Sequence, residues 1–302
     1  MAGNLGYNTV LCPPLSSSLV RALLRRVFVS VDAEGLPFII YSHLFPKASH
    51  FSELRRIATR LAATVSKVLV EKGYEVVVAD SHGYMNMIDP LAMPRGSRLV
   101  RGFPRSLSMV AGARGSMYAV LLGYHSRAGV LSVFSHTYSG SVVYRVTVNG
   151  REVGELSLNA LLLAEYSVPV ALVAGSEELR EEVEETIPWA VFLPLVSSMG
   201  YASSLAKSIE EVLDDLARAV EEAEDKAASG ELGLPRVAGR IELCIEYVNP
   251  LAAEVASLIP SVRLTAPRKT CVTASSMHDA YRLLEAQVYL ALWARTELAR
   301  QA

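Results

Sequence analysis

The sequence predicts an α/β fold: a mixed or mostly parallel sheet with helices on both faces, plus a smaller C-terminal α+β portion. Continuous apolar, β-branched runs such as VFVSV, EVVVAD and VPVALV are typical of strands buried on both faces. Helical patterns separate these runs, and an alternation of strands and helices favours a parallel sheet. After about residue 205 the pattern changes to a long helix, an alternating strand and a final helix.

The elements of the first half follow from local signals. A strand over 27–31 ends at Asp32, and apolar residues at helical spacing then predict a helix that starts at Ser52 and stops at Gly73. A second strand over 75–80 leads into His82. A third strand over 118–122 ends before His125.

Later elements are predicted in the same way. The alternation over 141–148 runs into Asn149-Gly150, a strong hairpin signal, and Glu155 follows the return strand. We expect a strand over 168–173, then a helix from about Ser176. The second half predicts an acidic amphipathic helix over 203–228, a linker over 230–235, a half-exposed strand over 240–247 and a final helix over 277–298.

Length and charge set the broad class. The 302 residues divide into an N-terminal extension (1–26), a metal-binding α/β domain (27–205) and a C-terminal domain (206–302). A hydrophobic content of 51% indicates a large core. The formal charge of -2 and the scattered basic residues argue against a nucleic-acid partner. We expect a cytoplasmic protein without a membrane partner, because the chain shows neither a secretory signal nor an apolar run of bilayer length.

The three cysteines, Cys12, Cys244 and Cys271, are odd in number and far apart. This spacing fits neither a disulfide framework nor a cysteine-rich zinc site. We therefore expect buried or idle thiols.

Carboxylate and imidazole side chains follow the ends of the predicted strands. The short motifs VDAEG, ADSHG, GYHSR and VGELSLNA supply Asp32, Glu34, His82, His125 and Glu155, and SHTYS supplies His136. Open α/β sheets bind ligands at the carboxyl ends of their strands. Imidazole suits zinc and carboxylates can bridge two ions, so the set indicates a divalent-metal site.

Other interpretations of the same residues remain open. Asp32 and Glu34 could cap loop amides, each histidine could be a satisfied loop residue, and Glu155 could be a solvated charge. A Ser-His-Asp triad could be assembled from Ser81 or Ser135 with His136 and Asp80, although the many serines make such a triple nearly always available. Compact metal, nucleotide and hydrolase motifs are missing from the sequence.

The order of the motifs resembles the D-aminopeptidase family, also labelled dipeptide-transport proteins. The segments VDAEG, ADSHG, RSLSMVAG, GYHSRAG, SHTYSG and NGREVGELSLNA carry the resemblance over about 27–175, and IELCIEYVNP and TCVTASSMHDAYRLL extend it more loosely. The chain departs from the family between Leu36 and Ser52, where PFIIYSHLFPKAS replaces a more polar loop. Residues 1–26 are additional.

The resemblance implies a dinuclear zinc peptidase that assembles into a ring-like homo-oligomer, a decamer by analogy. By position, the zinc ligands would be Asp32, Glu34, His82, His125 and Glu155. His136 would be catalytic and not a ligand, and Asp80 is a candidate acceptor for a ligand imidazole.

Two functions follow as hypotheses. The first is a zinc-dependent aminopeptidase that hydrolyses small peptides or aminoacyl amides, possibly with D-residues, using metal-activated water, with Asp32 shared by two zinc ions. The alternative is a peptide- or metal-binding protein associated with dipeptide uptake, without significant turnover. His136 speaks against the alternative, since binding alone requires no spare histidine beside the metals.

Overall fold

The computed structural model describes residues 25–44, 50–237 and 239–301. Most of the predicted N-terminal extension, with Cys12, lies outside the described residues. The strands are β1 Arg26–Val31, β2 Glu75–Asp80, β3 Ser97–Val100, β4 Tyr118–Tyr124, β5 Val143–Val148, β6 Arg151–Glu152, β7 Val170–Ser176, β8 Val191–Gly200, β9 Ser203–Leu205, β10 Ile241–Tyr247, β11 Arg263–Ala266 and β12 Lys269–Ala274. The helices are α1 Phe51–Glu71, α2 Glu155–Glu165, α3 Arg180–Thr186, α4 Ile209–Ser229, α5 Pro250–Ala256 and α6 Met277–Gln301.

The larger sheet has seven strands in the order β3-β2-β1-β4-β7-β8-β9. All neighbouring strands are parallel except β8 and β9. Val31 at the end of β1 pairs with Asp80 of β2 and with Leu122 of β4. The carboxyl ends of these three central strands are therefore level, and the residues that follow them share one edge of the sheet.

The two faces of the larger sheet pack in different ways. On one face, Val29 and its neighbours pack against α1 and α4 in a buried cluster that includes Leu61 and Leu216. On the other face, Phe28 belongs to a cluster with α2, α5, α6 and the second sheet. Burial on both faces explains why most residues of β1, Val27 to Val29 and Val31, are apolar. The predicted α/β class is confirmed, with helices on both faces.

The second sheet has five antiparallel strands in the order β11-β12-β10-β5-β6. Asn149 and Gly150 join β5 to β6 with positive φ at both positions, which is the backbone of the predicted hairpin turn. Strand β10 lies between β12 and β5, so this sheet takes strands from both sides of residue 205. The division of the chain into domains at that residue stays a prediction.

Two predicted helix starts are wrong. Helix α1 begins at Phe51, one residue before the predicted cap Ser52. Helix α4 begins at Ile209 and not near 203, because Ser208 and Glu211 form a reciprocal capping box there. Residues 203–205 instead form β9, which pairs with β8.

The expectation of unpaired thiols is also wrong for two of the cysteines. Cys244 of β10 and Cys271 of β12 lie directly opposite each other and form a disulfide. Their sequence separation of 27 residues hides this proximity, which the antiparallel register of the two strands creates. Within the described segments, no helix combines the length and apolar composition needed to cross a bilayer.

Glu285 of α6 contacts the loop that precedes β4. Its Oε2 accepts a hydrogen bond from the Leu107 amide at 3.2 Å, while its Oε1 is buried and makes no hydrogen bond among the described residues. Burial raises the pKa of Glu285 from 4.5 to about 7, although the Leu107 amide opposes the shift. Below about pH 7, the neutral acid is therefore the main form in the folded protein.

We predict that this carboxyl makes folding pH-dependent. Between the two pKa values the unfolded chain ionises while the folded chain stays protonated, so stability from this group is full at low pH and is lost as pH rises to about 7. Glu285→Gln keeps the acceptor but cannot ionise. We compare the two proteins by urea titration at each pH. The free energy of unfolding of Glu285→Gln minus that of wild type should increase by roughly 2 kcal/mol from pH 5 to pH 8. A difference that does not change with pH would contradict this assignment.

Candidate metal centre

The ends of the central strands bring the predicted ligand residues together. Asp32 follows β1, His82 follows β2, and His125 directly follows β4. Glu34 lies in the turn after β1, and all four side chains are buried. The level strand ends explain why residues that are far apart in sequence meet at this edge.

Two glycines allow the turn after β1 to lie against β4. The amide of Gly35 donates to the carbonyl of Gly123 at 2.9 Å. A Cβ on Gly35 would lie 2.0 Å from the Tyr124 carbonyl oxygen, and one on Gly123 would lie 2.2 Å from that of Asp32. Gly123 also has a φ of +76°, which disfavours other residues. The glycines of VDAEG and GYH are therefore needed for the close approach of the two backbones.

Asp32 occupies the centre of the group. Its Oδ1 lies 3.5 Å from His82 Nδ1, and its Oδ2 lies 3.6 Å from His125 Nε2. Glu34 Oε2 also lies 3.1 Å from His82 Nδ1. The two oxygens of one carboxylate thus face two different imidazoles.

Glu155 and His136 complete the side nearest His125. Glu155 is the first residue of α2, and its Oε1 lies 3.7 Å from both His125 Nε2 and His136 Nε2. The same oxygen accepts from the Tyr138 amide at 2.6 Å. The rings of His125 and His136 stack with centroids 4.4 Å apart. His136 Nδ1 donates to the Phe134 carbonyl at 2.9 Å, which leaves Nε2 directed to the group.

Burial and mutual charge shift the ionisation of these side chains in opposite directions. Burial raises the pKa of Asp32 well above its ordinary value, and neighbouring Glu34 adds to the rise. Burial also opposes ionisation of Glu34, but His82 and the other imidazoles hold the pKa of Glu34 well below its usual range. The pKa of His82 rises because Glu34 and Asp32 outweigh burial, whereas burial and then His136 lower the pKa of His125.

The donors fit divalent metal ions. One group combines Asp32, Glu34 and His82, and a second combines Asp32, His125 and Glu155; within each group the ligand atoms lie within 4.8 Å of one another. Asp32 Oδ2 and His125 Nε2 are buried and make no hydrogen bond within the described part of the chain. Buried polar atoms are normally satisfied, and a cation bound by these two atoms would satisfy both. Mixed imidazole and carboxylate donors suit zinc.

A third group combines Glu34, His125 and His136. The geometry therefore places His136 close enough to serve as a ligand as well as a proton donor. Its side chain is more exposed than those of the two other histidines, at 20% against 9% for His82 and 1% for His125.

Asp80 has a different role from the predicted one. Its Oδ2 accepts from the Ile88 amide at 2.7 Å, and the nearest cation is Arg101 at 4.0 Å. The imidazole nitrogens of His82 contact Glu34 and the Leu44 carbonyl instead. Asp80 belongs to β2, so its side chain reaches the loop over 85–88 and not the ring of His82.

The serine triad is also excluded among the described residues. Ser81 Oγ bonds to Ser30 Oγ at 2.9 Å, and Ser135 Oγ donates to the Val130 carbonyl at 2.6 Å. Neither hydroxyl is bonded to His136, and Asp80 is occupied by the Ile88 amide.

A buried polar network lies beneath the candidate metal ligands, and the sequence does not predict it. The Tyr124 hydroxyl lies 2.9 Å from Ser30 Oγ and accepts from Asn159 Nδ2 at 2.8 Å. The Tyr281 hydroxyl donates to Asn159 Oδ1 at 2.8 Å. The network thus links β1, β4, α2 and α6 directly behind His125. Asn159, in the motif GELSLNA, is the only member of this network that lies in a motif singled out from the sequence. The motif does not reveal which residues Asn159 bonds to.

Glu182 fixes the start of the helix that carries Glu155. Gly154 precedes this helix and has no side chain to cap it. Glu182 Oε1, from α3, accepts instead from the Gly154 amide at 2.9 Å, the Ser157 amide at 3.2 Å and the Ser157 hydroxyl at 2.6 Å. A carboxylate at a helix N-terminus also interacts favourably with the helix dipole.

We predict that Glu182→Ala lowers the free energy of unfolding by about 1–2 kcal/mol, as loss of an N-cap does. Glu182→Gln is the matched control, since its amide oxygen can still accept from the same donors, and it should lose less than half as much. Denaturant titration of both variants measures the difference. Equal losses of stability in the two variants would show that the negative charge of Glu182 stabilises the protein and that its hydrogen bonds to the helix start do not.

Comparisons with known proteins agree with this geometry. The family model Peptidase M55, described as D-aminopeptidase, matches residues 25–286. A D-aminopeptidase of Bacillus subtilis (strain 168) is 30% identical over 285 residues, which cover 91% of this chain and 97% of that protein. The solved structure titled "Zn-dependent D-aminopeptidase DppA from Bacillus subtilis, a self-compartmentalizing protease" superposes with a TM-score of 0.84 at 28% identity, covering 88% of this chain and 98% of the other. The chain belongs to the D-aminopeptidase family.

Proposed function

We propose that this chain is a zinc-dependent aminopeptidase that hydrolyses small peptides or aminoacyl amides, including those with D-residues. The observation that carries the proposal is the shared carboxylate: each oxygen of Asp32 faces a different imidazole, and a second carboxylate joins each half. The family and its zinc-dependent structural relative support zinc as the metal.

Each half of the centre would hold one ion. Asp32, Glu34 and His82 would hold the first, and Asp32, His125 and Glu155 the second. When bound, zinc supplies Lewis acidity, which polarises a carbonyl and acidifies water. The chain's own contribution is to keep three carboxylates and two imidazoles in a buried, water-poor group, where electrostatic interactions are strong.

His136 is placed to move a proton. The Phe134 carbonyl holds its Nδ1 as a donor, so the neutral ring presents Nε2 as an acceptor and the protonated ring presents it as a donor. Nε2 lies beside Glu155 Oε1 at the most open edge of the group. His136 can therefore stabilise negative charge that develops on the scissile carbonyl or protonate the leaving amine.

The alternative, binding in dipeptide uptake without turnover, is not favoured. It rests on the family's second label, dipeptide transport, whereas the matched curated protein and the matched solved structure are both named D-aminopeptidase. The imidazole of His136, with Nε2 directed to the metal-ligand group, fits a catalytic site better than a site that only binds peptide or metal.

We expect substitution of His136 to separate chemistry from metal binding. His136→Ala should lower kcat about 10²–10⁴-fold with zinc content nearly unchanged, because a general acid or charge-stabilising donor acts in the transition state. His82→Ala and His125→Ala should each lose zinc, because they remove a ligand. Zinc per subunit and kcat are measured on the same preparations. His278→Ala removes an imidazole that pairs with Tyr166 and serves as the control.

Two outcomes would overturn these roles. Equal zinc loss in His136→Ala and His125→Ala would make His136 a ligand, as the third donor group permits. An unchanged kcat per folded, zinc-loaded molecule would make it a bystander.

We also propose that the chain forms a ring-like homo-oligomer in the cytoplasm, with ten subunits by analogy with the family. The structural relative is titled self-compartmentalizing. Several large apolar side chains are exposed on the single chain and are candidates for subunit contacts: Leu91, Leu131, Met199, Leu205, Leu258 and Trp293.

Light scattering tests the assembly. The measured mass at micromolar concentration should be close to ten times the 32.7 kDa of one chain. Trp293→Asp, which places a charge on an exposed face of α6, should shift the mass towards smaller species if that face is a contact. A fully active monomer would refute the assembly.

A further inference from the structure

The short segment 132–136, which we call the His136 loop, contains a residue in an unusual backbone conformation. Phe134 has a φ of +49°, in the left-handed region that bulky residues rarely adopt. Its side chain is buried, and its carbonyl accepts the hydrogen bond from His136 Nδ1 at 2.9 Å. Such a conformation persists only where the surrounding structure holds it. The tautomer and direction of the His136 ring therefore depend on what holds the backbone at Phe134.

The hairpin of β8 and β9 holds two successive amides of the His136 loop. The Val133 amide donates to Ser198 Oγ of β8 at 2.7 Å. The Phe134 amide donates to the carbonyl of Tyr201, in the turn between the two strands, at 2.8 Å. Val133 is 1% exposed, and a buried amide requires a hydrogen-bond partner. The Ser198 hydroxyl supplies that partner directly before the strained residue.

Glu178 in turn fixes Ser198. It lies in the helical turn Glu177–Leu179 that follows β7. Its Oε1 accepts from the Ser198 amide at 2.8 Å, and its Oε2 accepts from the Ser132 hydroxyl at 3.2 Å. Ser198 Oγ also donates to Ser132 Oγ at 3.4 Å, so this hydroxyl has a lone pair left for the loop amide. One carboxylate thus joins the hairpin to the start of the His136 loop.

The ionisation of Glu178 agrees with this role. Burial opposes ionisation, but hydrogen bonds, first of all from the Ser198 amide, hold the pKa of Glu178 below its ordinary value. Glu178 is therefore a carboxylate at neutral pH, and both of its oxygens can accept. Neither Glu178 nor Ser198 belongs to the three donor groups of the candidate metal centre.

We propose that Ser198 and Glu178 are positioning residues for His136: they fix the Phe134 carbonyl and, through it, the imidazole. The inference rests on the proposed aminopeptidase function and adds two residues that act on the proton donor from outside the site. A misplacement of about 1 Å caused by a mutation far from the chemistry can cost about 10²-fold in rate. Loss of the hydrogen bonds made by Ser198 should therefore lower turnover and spare the zinc ions.

The kinetics of Ser198→Ala test this inference. Zinc-loaded protein is assayed with alanine amide and phenylalanine amide, each as the D- and L-form. Ser198→Ala should lower kcat about 10- to 100-fold, with KM and zinc content nearly unchanged, because His136 acts in the transition state. Ser198→Thr keeps the hydroxyl and should restore most of the lost kcat. An unchanged kcat in Ser198→Ala would overturn the inference.

Ser204→Ala is the matched control. Ser204 lies opposite Ser198 in β9 and makes no side-chain hydrogen bond among the described residues. Its replacement should leave kcat at the wild-type value. Glu178→Gln is a second test that does not depend on the folding of Ser198→Ala. Its one remaining oxygen must serve two donors, so it should lower kcat by less than Ser198→Ala does, again at constant zinc content.

A double-mutant cycle separates positioning from a general loss of structure. If Ser198 acts only through His136, Ser198→Ala should not lower kcat further in a protein that already carries His136→Ala. The same comparison is made with Glu178→Gln. An equal loss of kcat in the presence and in the absence of His136 would show that the two residues stabilise the fold and do not position the imidazole.

Crystal structures of wild type, Ser198→Ala and Ser204→Ala give a measurement that is independent of activity. In Ser198→Ala, we expect His136 Nδ1 to lie more than about 3.5 Å from the Phe134 carbonyl oxygen, beyond hydrogen-bond range. Ser204→Ala should keep the wild-type distance. An unmoved His136 loop in Ser198→Ala would refute positioning and leave the peptidase function intact. If wild type hydrolyses none of the amides, the proposed function fails, and these structures decide the positioning.

Discussion

The burial of Asp32 between two imidazoles is the interaction on which the rest of the structure depends. A buried carboxylate is costly unless it is paired, and here three carboxylates are packed into one group. The two imidazoles offset part of this cost, but Asp32 Oδ2 and His125 Nε2 still have no hydrogen-bond partner among the described residues. Cations held by these atoms would offset the charge of the three carboxylates, so the donor set fits a metal site.

The surrounding fold makes this arrangement possible. Parallel strands of equal register bring three chain segments to one edge, and glycines at 35 and 123 let the backbones approach closely. The network around Tyr124 and Asn159 fixes the strand behind His125. Glu182 holds the helix start that presents Glu155. Each of these contacts restricts the position of a candidate ligand residue. Ligands from distant parts of the chain therefore keep a defined geometry.

Local sequence patterns could predict the strands, the hairpin at Asn149-Gly150 and the donor residues, because these depend on short-range periodicity and on residue chemistry. They could not predict features that arise from strand register. The disulfide between Cys244 and Cys271 exists because β10 and β12 are neighbours, and 27 residues of intervening chain hide that relation. Asp80 was misplaced for a similar reason: proximity to His82 in sequence does not determine the direction of a strand side chain.

Zinc stoichiometry in a variant of Asp32 tests the central claim most directly. If Asp32 is shared by both halves, Asp32→Asn should reduce bound zinc from close to two ions per subunit to near zero in a folded protein, since both halves lose a charged ligand. Glu155→Gln, which affects one half, should retain about one ion. Retention of the full zinc content by Asp32→Asn, or the same loss in both variants, would contradict the account.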